Sequence, residues 1–386
     1  MTEAKFSPGL EGVIATDTKV SYLDVEHEQI VIRGYDLIEL AQKLSYPDVA
    51  YLLAYGHLPT QSEAAGFCQS LKKDGGLSVG MYQFLGMLPD TTNIMDALRT
   101  SISFMAGFEN PALLKTISRD ADLQMGLRIL AKAPAIVANS YRGINGKEFV
   151  QPDHNMGYSE NFLYMIQGKK PDAVSKEIFD HVLTCYIEHE MPNSTFAARV
   201  IASTLSDMYG AMVGAVASLK GPLHGGANEA AIEMLLDIHK KAGVQGAERA
   251  IMDKLKSKER IMGFGHRVYM HKYDPRAFLL KNYIPRLVDR HPEGKDLHAI
   301  YQTVEKVMLR ERGLYPNMDY PVGLLLYLLD IPIPLDTPIF LCSRIAGLVA
   351  HVIEQHEENR LYRPRVLYNG PRDLHPQASK PISPCW

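Results

Sequence analysis

Several patches of this sequence carry side chains suited to acid–base, hydrogen-bonding or anion chemistry. In GPLHGGANE, His224 lies between Pro222 and the Gly225–Gly226 pair, just ahead of a helix-forming run. Glycines let the backbone approach a ligand closely, and free amides at a helix start favour an anion. The segment lacks the GxxxxGK[ST] spacing of a phosphate loop. An ordinary tight turn with an incidental histidine reads the same way. In MGFGHRVYMHKYDPR, two glycines precede His266, and Arg267, Lys272 and Arg276 follow. A histidine among cations is held neutral and can donate a hydrogen bond to a carbonyl. A solvated basic face has the same composition. In LYPNMDYPVG, Asp319 is flanked by apolar and aromatic residues. Such surroundings raise a carboxyl pKa and suit a general base, although many aspartates of this kind only cap turns.

Two further patches are weaker. IEHEMPNSTFAAR sets His189 between Glu188 and Glu190. The spacing is not HExxH, and adjacent helical residues point to different faces, so no metal is expected there. Arg344 in LCSRIAG and Arg363 in RLYRPRVLY offer guanidinium groups that bind carboxylates in bidentate fashion. Surface ion pairs are the plainer use for both. HVIEQHEENR, with His351 and His356, reads as a solvated helix end.

The elements that must position these residues are overwhelmingly helical. Residues 36–44 form a short amphipathic segment. Pro47 opens another, with Val49, Ala50, Leu52 and Leu53 on one face and Gly56 as its stop. Thr60 followed by Glu63 predicts a capping box. Residues 193–219 read as one long Ala-rich helix whose small residues suit close helix or subunit contact. Residues 227–242 predict a helix stopping at Gly243. Thr337 is expected to cap a helix with Pro338 at its first position, running to Gln355. Residues 20–23 and 29–32 are β-rich and flank a polar turn, which predicts one hairpin. No βαβ alternation follows, which argues against a doubly wound sheet. Gly- or Pro-rich breaks at 221–228 and 331–338 suggest hinges around an inserted second domain. Residues 373–386, rich in Pro and Ser, read as a loose tail.

Composition sets the outer bounds. A chain of 386 residues is long enough for two domains. Its 46% hydrophobic and 22% charged content excludes a disordered or fibrous chain. A net charge of -3 supplies no global field toward nucleic acid or anionic membrane. The most apolar runs, 211–219 and 322–329, fall short of the roughly 20 residues a bilayer requires. The first residues hold no basic stretch followed by an apolar core, so no secretory signal is expected. Cys68, Cys185, Cys342 and Cys385 form no CxxC pair, which points to reduced thiols and a cytoplasmic protein.

Taken in order, HEMPNSTFAAR, GPLHGGAN, MGFGHRVY with DPR, PNMD, then SR and RPR, the chain resembles the citrate synthase family. The likeness runs from GLEGVIA and IRGYD near the start to RPRVLYNG near the end. SPGLEGVIA, HEMPNSTFAARVIAST and GLYP look closest to the 2-methylcitrate synthase branch, which condenses propionyl-CoA, and usually acetyl-CoA, with oxaloacetate. The alternative within the family is a dedicated citrate synthase.

The resemblance implies an all-α, two-domain helical fold with a small N-terminal β-hairpin. Residues 1–222 and 334–386 would form the large domain and residues 223–333 the small one. It implies a homodimer with the site in the cleft between domains. His224 matches the histidine that donates to the thioester carbonyl, and a helix N-terminus there would keep it neutral. Asp319 matches the carboxylate that removes the α-proton, and His266 the histidine that polarises the ketone. His189, Arg276 and Arg344 match groups that bind oxaloacetate, and Arg363 an arginine contributed by the partner subunit. Glu259, Arg260, Ile261, Met262 and Gly263 match a loop lining the coenzyme A site. One extra residue between His266 and the DPR triplet leaves Lys272 or Arg267 as the phosphate-binding cation. The family uses no metal or other cofactor beyond its coenzyme A substrate. Two readings from other classes compete. A catalytically silent helical scaffold would lack one of His224, His266 and Asp319. A histidine–metal hydrolase would use His189, His224 and His266.

Overall fold

The computed structural model describes residues 6–24, 26–265 and 272–375. It opens on a small antiparallel sheet, β1 (Ser21–Asp24), β2 (Gln29–Ile32) and β3 (Tyr35–Asp36). The register pairs Ser21 with Ile32 and Asp24 with Gln29, then Ile32 with Tyr35. The expected hairpin is therefore the first part of a three-stranded sheet. Arg33 and Gly34 lie at φ 49° and 92°, the two positive values that a tight two-residue turn needs. An arginine in the first of those positions hides the turn from a reading by residue type.

Sixteen helices follow among the described residues. The first set is α1 (Leu37–Lys43), α2 (Tyr46–Tyr55), α3 (Gln61–Asp74), α4 (Val79–Gly86), α5 (Ile94–Ala106), α6 (Pro111–Leu114), α7 (Arg119–Ile144), α8 (Tyr158–Gln167) and α9 (Ala173–Tyr186). The second is α10 (Asn193–Ala202), α11 (Met208–Leu219), α12 (Ala227–Lys256), α13 (Pro275–Lys281), α14 (Gly294–Arg312), α15 (Asp319–Leu328) and α16 (Asp336–Glu357). Local chemistry sets many of their ends. Gly56 stops α2 in the left-handed region at φ 86°, and Thr60 and Glu63 form the reciprocal capping box of α3.

Three helix boundaries differ from the sequence reading. The Ala-rich stretch is two helices: Leu205 turns at φ 62°, and Asp207 caps α11 by accepting from the Gly210 amide. The halves then pack on each other, and Gly214 leaves no room for a Cβ beside Ile201. Gly243, at φ 63° and ψ −174°, kinks α12 instead of ending it. Thr337 does not cap α16, which starts at Asp336 with Pro338 in its third position and ends at Glu357. The Thr337 amide donates to Glu229 Oε1 at 3.2 Å and its hydroxyl to the Gly225 carbonyl at 3.1 Å. A distant carboxylate thus supplies the cap.

α16 is the central core helix. It packs against α2, α7, α9, α10 and α11, and Gly126 of α7 meets Val349 where a Cβ would collide. Its length and apolarity alone would suit a membrane, but most of it is buried in protein. His351 and His356 are buried in this helix, contrary to the solvated end expected of HVIEQHEENR. His356 Nδ1 lies 2.8 Å from the buried Asp122 carboxylate of α7. A second group of helices forms where α12 packs on α14 and α15, and α15 on α13; it meets the rest of the chain through α16, α1 and α9. Cys68, Cys185 and Cys342 are free thiols, and Cys385 lies outside the described residues.

Candidate active site

Asp319 is the first residue of α15, and the loop before it is laced to the glycine motif. The Asn317 amide donates to the Gly263 carbonyl at 2.9 Å, and its side-chain Nδ2 to the Gly265 carbonyl at 3.0 Å. Phe264 and Pro316 form a β-bridge. Asn317 Oδ1 in turn accepts from the Asp319 amide at 3.1 Å. Gly263 is obligatory: its φ is +81°, and a Cβ would meet Tyr320 at 2.7 Å. The last described residue before His266 is therefore bonded two positions from Asp319. His266 and Arg267 themselves lie outside the described residues.

The Asp319 side chain sits deep among protein atoms yet keeps part of its surface open. Tyr186 Oη, at the end of α9, donates to its Oδ1 at 3.0 Å. Burial pushes the carboxyl up to about 6, against the pull of the Tyr186 hydrogen bond and of Arg276 and Arg344. Desolvation thus outweighs two cations, because neither neutralises the carboxylate by direct pairing.

Arg344 is 2% exposed on α16. Its Nε donates to the Tyr186 carbonyl at 2.7 Å, and its guanidinium lies 4.8 Å from the Phe340 ring, which stacks on Tyr186 at 4.4 Å. Burial pulls this guanidinium down to about 10; the Glu188 carboxylate opposes that shift and the charge of Arg276 adds to it. Arg276 is itself buried and forked onto Asp274, with Nε–Oδ1 at 3.0 Å and Nη2–Oδ2 at 2.7 Å. Asp274 also caps α13, so the DPR triplet fixes its own arginine.

His224 stands in the turn ahead of α12. Its Nε2 accepts from the Ser194 amide at 3.2 Å and lies 2.9 Å from Ser194 Oγ. An amide can only donate, so Nε2 is unprotonated and Nδ1 carries the ring proton. His224 is pulled down to about 4, first by burial and then by the Arg344 charge. It is neutral at physiological pH, with desolvation as the main cause. Gly225 permits this turn, because a Cβ there would run into the Leu219 carbonyl. Arg344 acts electrostatically on both His224 and Asp319, and Arg276 on Asp319, so these four side chains share one neighbourhood.

His189 lies on the loop between α9 and α10 and is 9% exposed. Glu188 beside it is fully buried. Its Oε1 accepts from Ser21 Oγ at 3.0 Å and from His351 Nε2 at 3.1 Å. His351 Nδ1 accepts from Arg199 Nη1 at 3.1 Å, which leaves Nε2 as the donor. His351, Arg344 and Ser21 hold Glu188 below the usual carboxylate range despite its burial.

Of the other predicted residues, Gly263 alone has been placed above, bonded to the loop before Asp319. Arg363 is exposed on the chain beyond α16. Glu259 and Arg260 are exposed; Glu259 pairs with Lys254 Nζ at 2.9 Å. Met262 is half-buried, while Ile261 and Gly263 are buried. Lys272 Nζ donates to the Glu26 carbonyl at 3.1 Å. Among the described residues no three His, Cys, Asp or Glu side chains are grouped to hold a metal ion. Sequence reasoning missed Tyr186, Ser194 and the partners of Glu188. Tyr186 stands three residues before His189, immediately ahead of the quoted IEHEMPNSTFAAR stretch, but only the fold aims it at Asp319.

Comparison with known proteins gives a consistent picture. The family described as "Citrate synthase, C-terminal domain" matches residues 9–365. A protein of Heyndrickxia coagulans called citrate synthase is 50% identical over 96% of this chain and 98% of its own. A citrate/2-methylcitrate synthase of Bacillus subtilis is also 50% identical, over 95% of this chain and 97% of its own. A solved citrate synthase of Thermoplasma acidophilum, a ternary complex with carboxymethyl coenzyme A and oxaloacetate, superposes with TM-score 0.90 at 32% identity, covering 98% and 99% of the two chains.

Proposed function

This chain belongs to the citrate synthase family, and from that premise we propose how its own residues condense an acyl-CoA with oxaloacetate. It is an acyltransferase of the citrate and 2-methylcitrate synthase type. The substrates assigned here are propionyl-CoA and acetyl-CoA as acyl donors. The ligand pair of the Thermoplasma acidophilum complex supports that assignment. The observation that carries the reading is Asp319: a carboxyl raised to about 6, held at one oxygen by a neutral phenol and facing two buried arginines.

An α-proton beside a thioester is weakly acidic, so a free enolate is too high in energy to form unaided. Asp319 removes the proton while His224 donates Nδ1–H to the thioester oxygen. A donor aimed at developing charge is worth about 2.7–4 kcal/mol. The enol carbon then bonds to the ketone carbon of oxaloacetate, and the ketone oxygen takes a proton from His266. Water cleaves the resulting thioester, releasing coenzyme A and the tricarboxylate. His189, Arg276 and Arg344 hold the oxaloacetate carboxylates and favour the charge that builds on the ketone. The scheme draws on no cofactor beyond the coenzyme A substrate.

The rest of the assignment follows the same premise. Residues 223–333 form a small domain that closes on the remainder, residues 1–222 and 334–386; closure excludes water until the carbon–carbon bond has formed. The packing of α14 and α15 on α12 supports this division. Residues 259–263 and Lys272 line the coenzyme A site. The active unit is a homodimer that receives Arg363 from the partner subunit. Exposed Leu361, Val366 and Leu367, on a segment with little packing of its own, support a partner there. Free thiols favour a cytoplasmic setting in the methylcitrate or tricarboxylic acid cycle.

A second reading, a dedicated citrate synthase, is favoured by the Heyndrickxia coagulans relative. Release of free thiol from propionyl-CoA and acetyl-CoA, each with and without oxaloacetate, tests both. The expected result is oxaloacetate-dependent release from both donors. Release from acetyl-CoA alone selects the second reading, and none from either removes the assignment. A one-methylene difference shifts kcat/KM by about 1–3 kcal/mol, so the ratio for the two donors is the number to measure.

A further inference from the structure

We propose that Tyr186 is a positioning residue for this reaction: its hydroxyl fixes one oxygen of Asp319, so that the other is the oxygen presented to the acyl α-proton. The inference rests on the function proposed above and extends it to a residue with no assigned role. Tyr186 Oη donates to Asp319 Oδ1 at 3.0 Å, and among the described residues no hydrogen bond reaches Oδ2. The phenol has little freedom of its own. It is 2% exposed, and its ring stacks on Phe340 at 4.4 Å. Its backbone carbonyl takes the Nε hydrogen of Arg344 at 2.7 Å. One residue therefore holds the base by its side chain and a dicarboxylate-binding arginine by its main chain. The two halves of the reaction are spaced by a single rigid element end.

In the step itself, Asp319 Oδ2 takes the α-proton and the carboxylate becomes a neutral acid, while the phenol keeps its own proton throughout. Burial drives the Tyr186 hydroxyl well above its ordinary range, so it stays a donor at any working pH. A donor of this kind favours the ionised carboxylate. The other groups facing Asp319 are Arg276 and Asp274 at the start of α13 and Arg344 on α16, while Asp336 of α16 acts on the phenol.

The test is Tyr186→Phe, which keeps the stacked ring and the carbonyl that anchors Arg344. With oxaloacetate saturating, the acid limb of the kcat/KM profile for acyl-CoA is expected to move up by about one pH unit. The kcat plateau should fall on the order of tenfold, and KM for oxaloacetate should stay within about twofold. A merely structural role would disturb both substrates and leave the limb in place. Should the phenylalanine variant fold poorly, a ring-fluorinated tyrosine at position 186 gives the opposite probe. A more acidic phenol donates more strongly, and the limb should move down. A limb unmoved by both replacements overturns the proposal. Absence of oxaloacetate-dependent thiol release in the wild type would instead remove the underlying reading, so the two failures are distinct.

Discussion

Glu188 and Asp319 both act on the charge of Arg344, yet their own affinities for a proton are driven in opposite directions. Glu188 is fully buried, and burial alone would raise it. It is nevertheless held below the usual range, because His351, Arg344 and Ser21 all favour its charged form. Asp319 keeps some open surface and is pushed up to about 6 by burial, against one phenol hydrogen bond among the described residues and the pull of Arg276 and Arg344. Burial is common to both, so the partner decides. A buried carboxylate that takes two hydrogen bonds beside a buried arginine becomes a fixed counter-charge. One that takes a single hydrogen bond, with desolvation dominant, retains a proton affinity near the working pH and can serve as a base.

The largest effect that sharpens this contrast is expected from Asp319→Asn. Loss of a positioned base should lower kcat for condensation about 10²–10⁴-fold, read as thiol release. Stability should move the other way. Asp319 has a folded pKa raised above its ordinary 3.8, so its stabilising contribution is full below that value and is lost as pH rises through about 6. The Asn variant should therefore gain in melting temperature relative to the wild type as the pH passes through 6. Next comes His224→Gln, expected to lower kcat about 10²–10³-fold with oxaloacetate binding retained, as measured by calorimetric titration. His224 is depressed in the folded state, so its contribution is present above its ordinary 6.5 and lost as pH falls toward 4. The variant should lose that acid sensitivity in thermal melts.

Glu188→Gln probes the other carboxylate. Removing a buried charge from its donors should destabilise the fold by about 1–3 kcal/mol in urea unfolding. KM for oxaloacetate should rise, because Arg344 loses a counter-charge, while the acid limb of the acyl-CoA profile stays in place. An unmoved oxaloacetate KM would break the comparison at its structural end. The smallest effect is expected from Gly347→Ala. A Cβ there collides with Glu188 Oε2 and crowds the Ile187 carbonyl, so the carboxylate and the main chain beside it must shift. The phenotype should resemble Glu188→Gln in weaker form, with a rise in oxaloacetate KM of about two- to twelvefold if roughly half of a 1–3 kcal/mol packing penalty reaches Arg344.

Features set by neighbouring residues were legible in the sequence, and features set across space were not. The capping box at Thr60 and Glu63 and the stop at Gly56 need only a few adjacent residues. The break between α10 and α11 was obscured, because the Asp207 cap sits inside an Ala-rich run that reads as continuous helix. The start of α16 was misplaced because the acceptor for the Thr337 amide comes from α12, far along the chain. The same division holds at the candidate site. Apolar neighbours of Asp319 in the chain announce its raised carboxyl. Nothing near His224 in sequence announces Ser194, which fixes the tautomer, and nothing near Asp319 announces Tyr186. His351 looked like solvent-facing polarity, because a period-based reading cannot see Glu188 waiting on the opposite side of the core.

Solvent deuterium uptake at the α-carbon of propionyl-CoA isolates the proton-removal step from everything that follows it. With the dicarboxylate site filled by an unreactive oxaloacetate analogue, the wild-type enzyme should exchange the α-protons and Asp319→Asn should not. Equal exchange by the two proteins would mean that another group takes the proton, and would contradict the role given to Asp319.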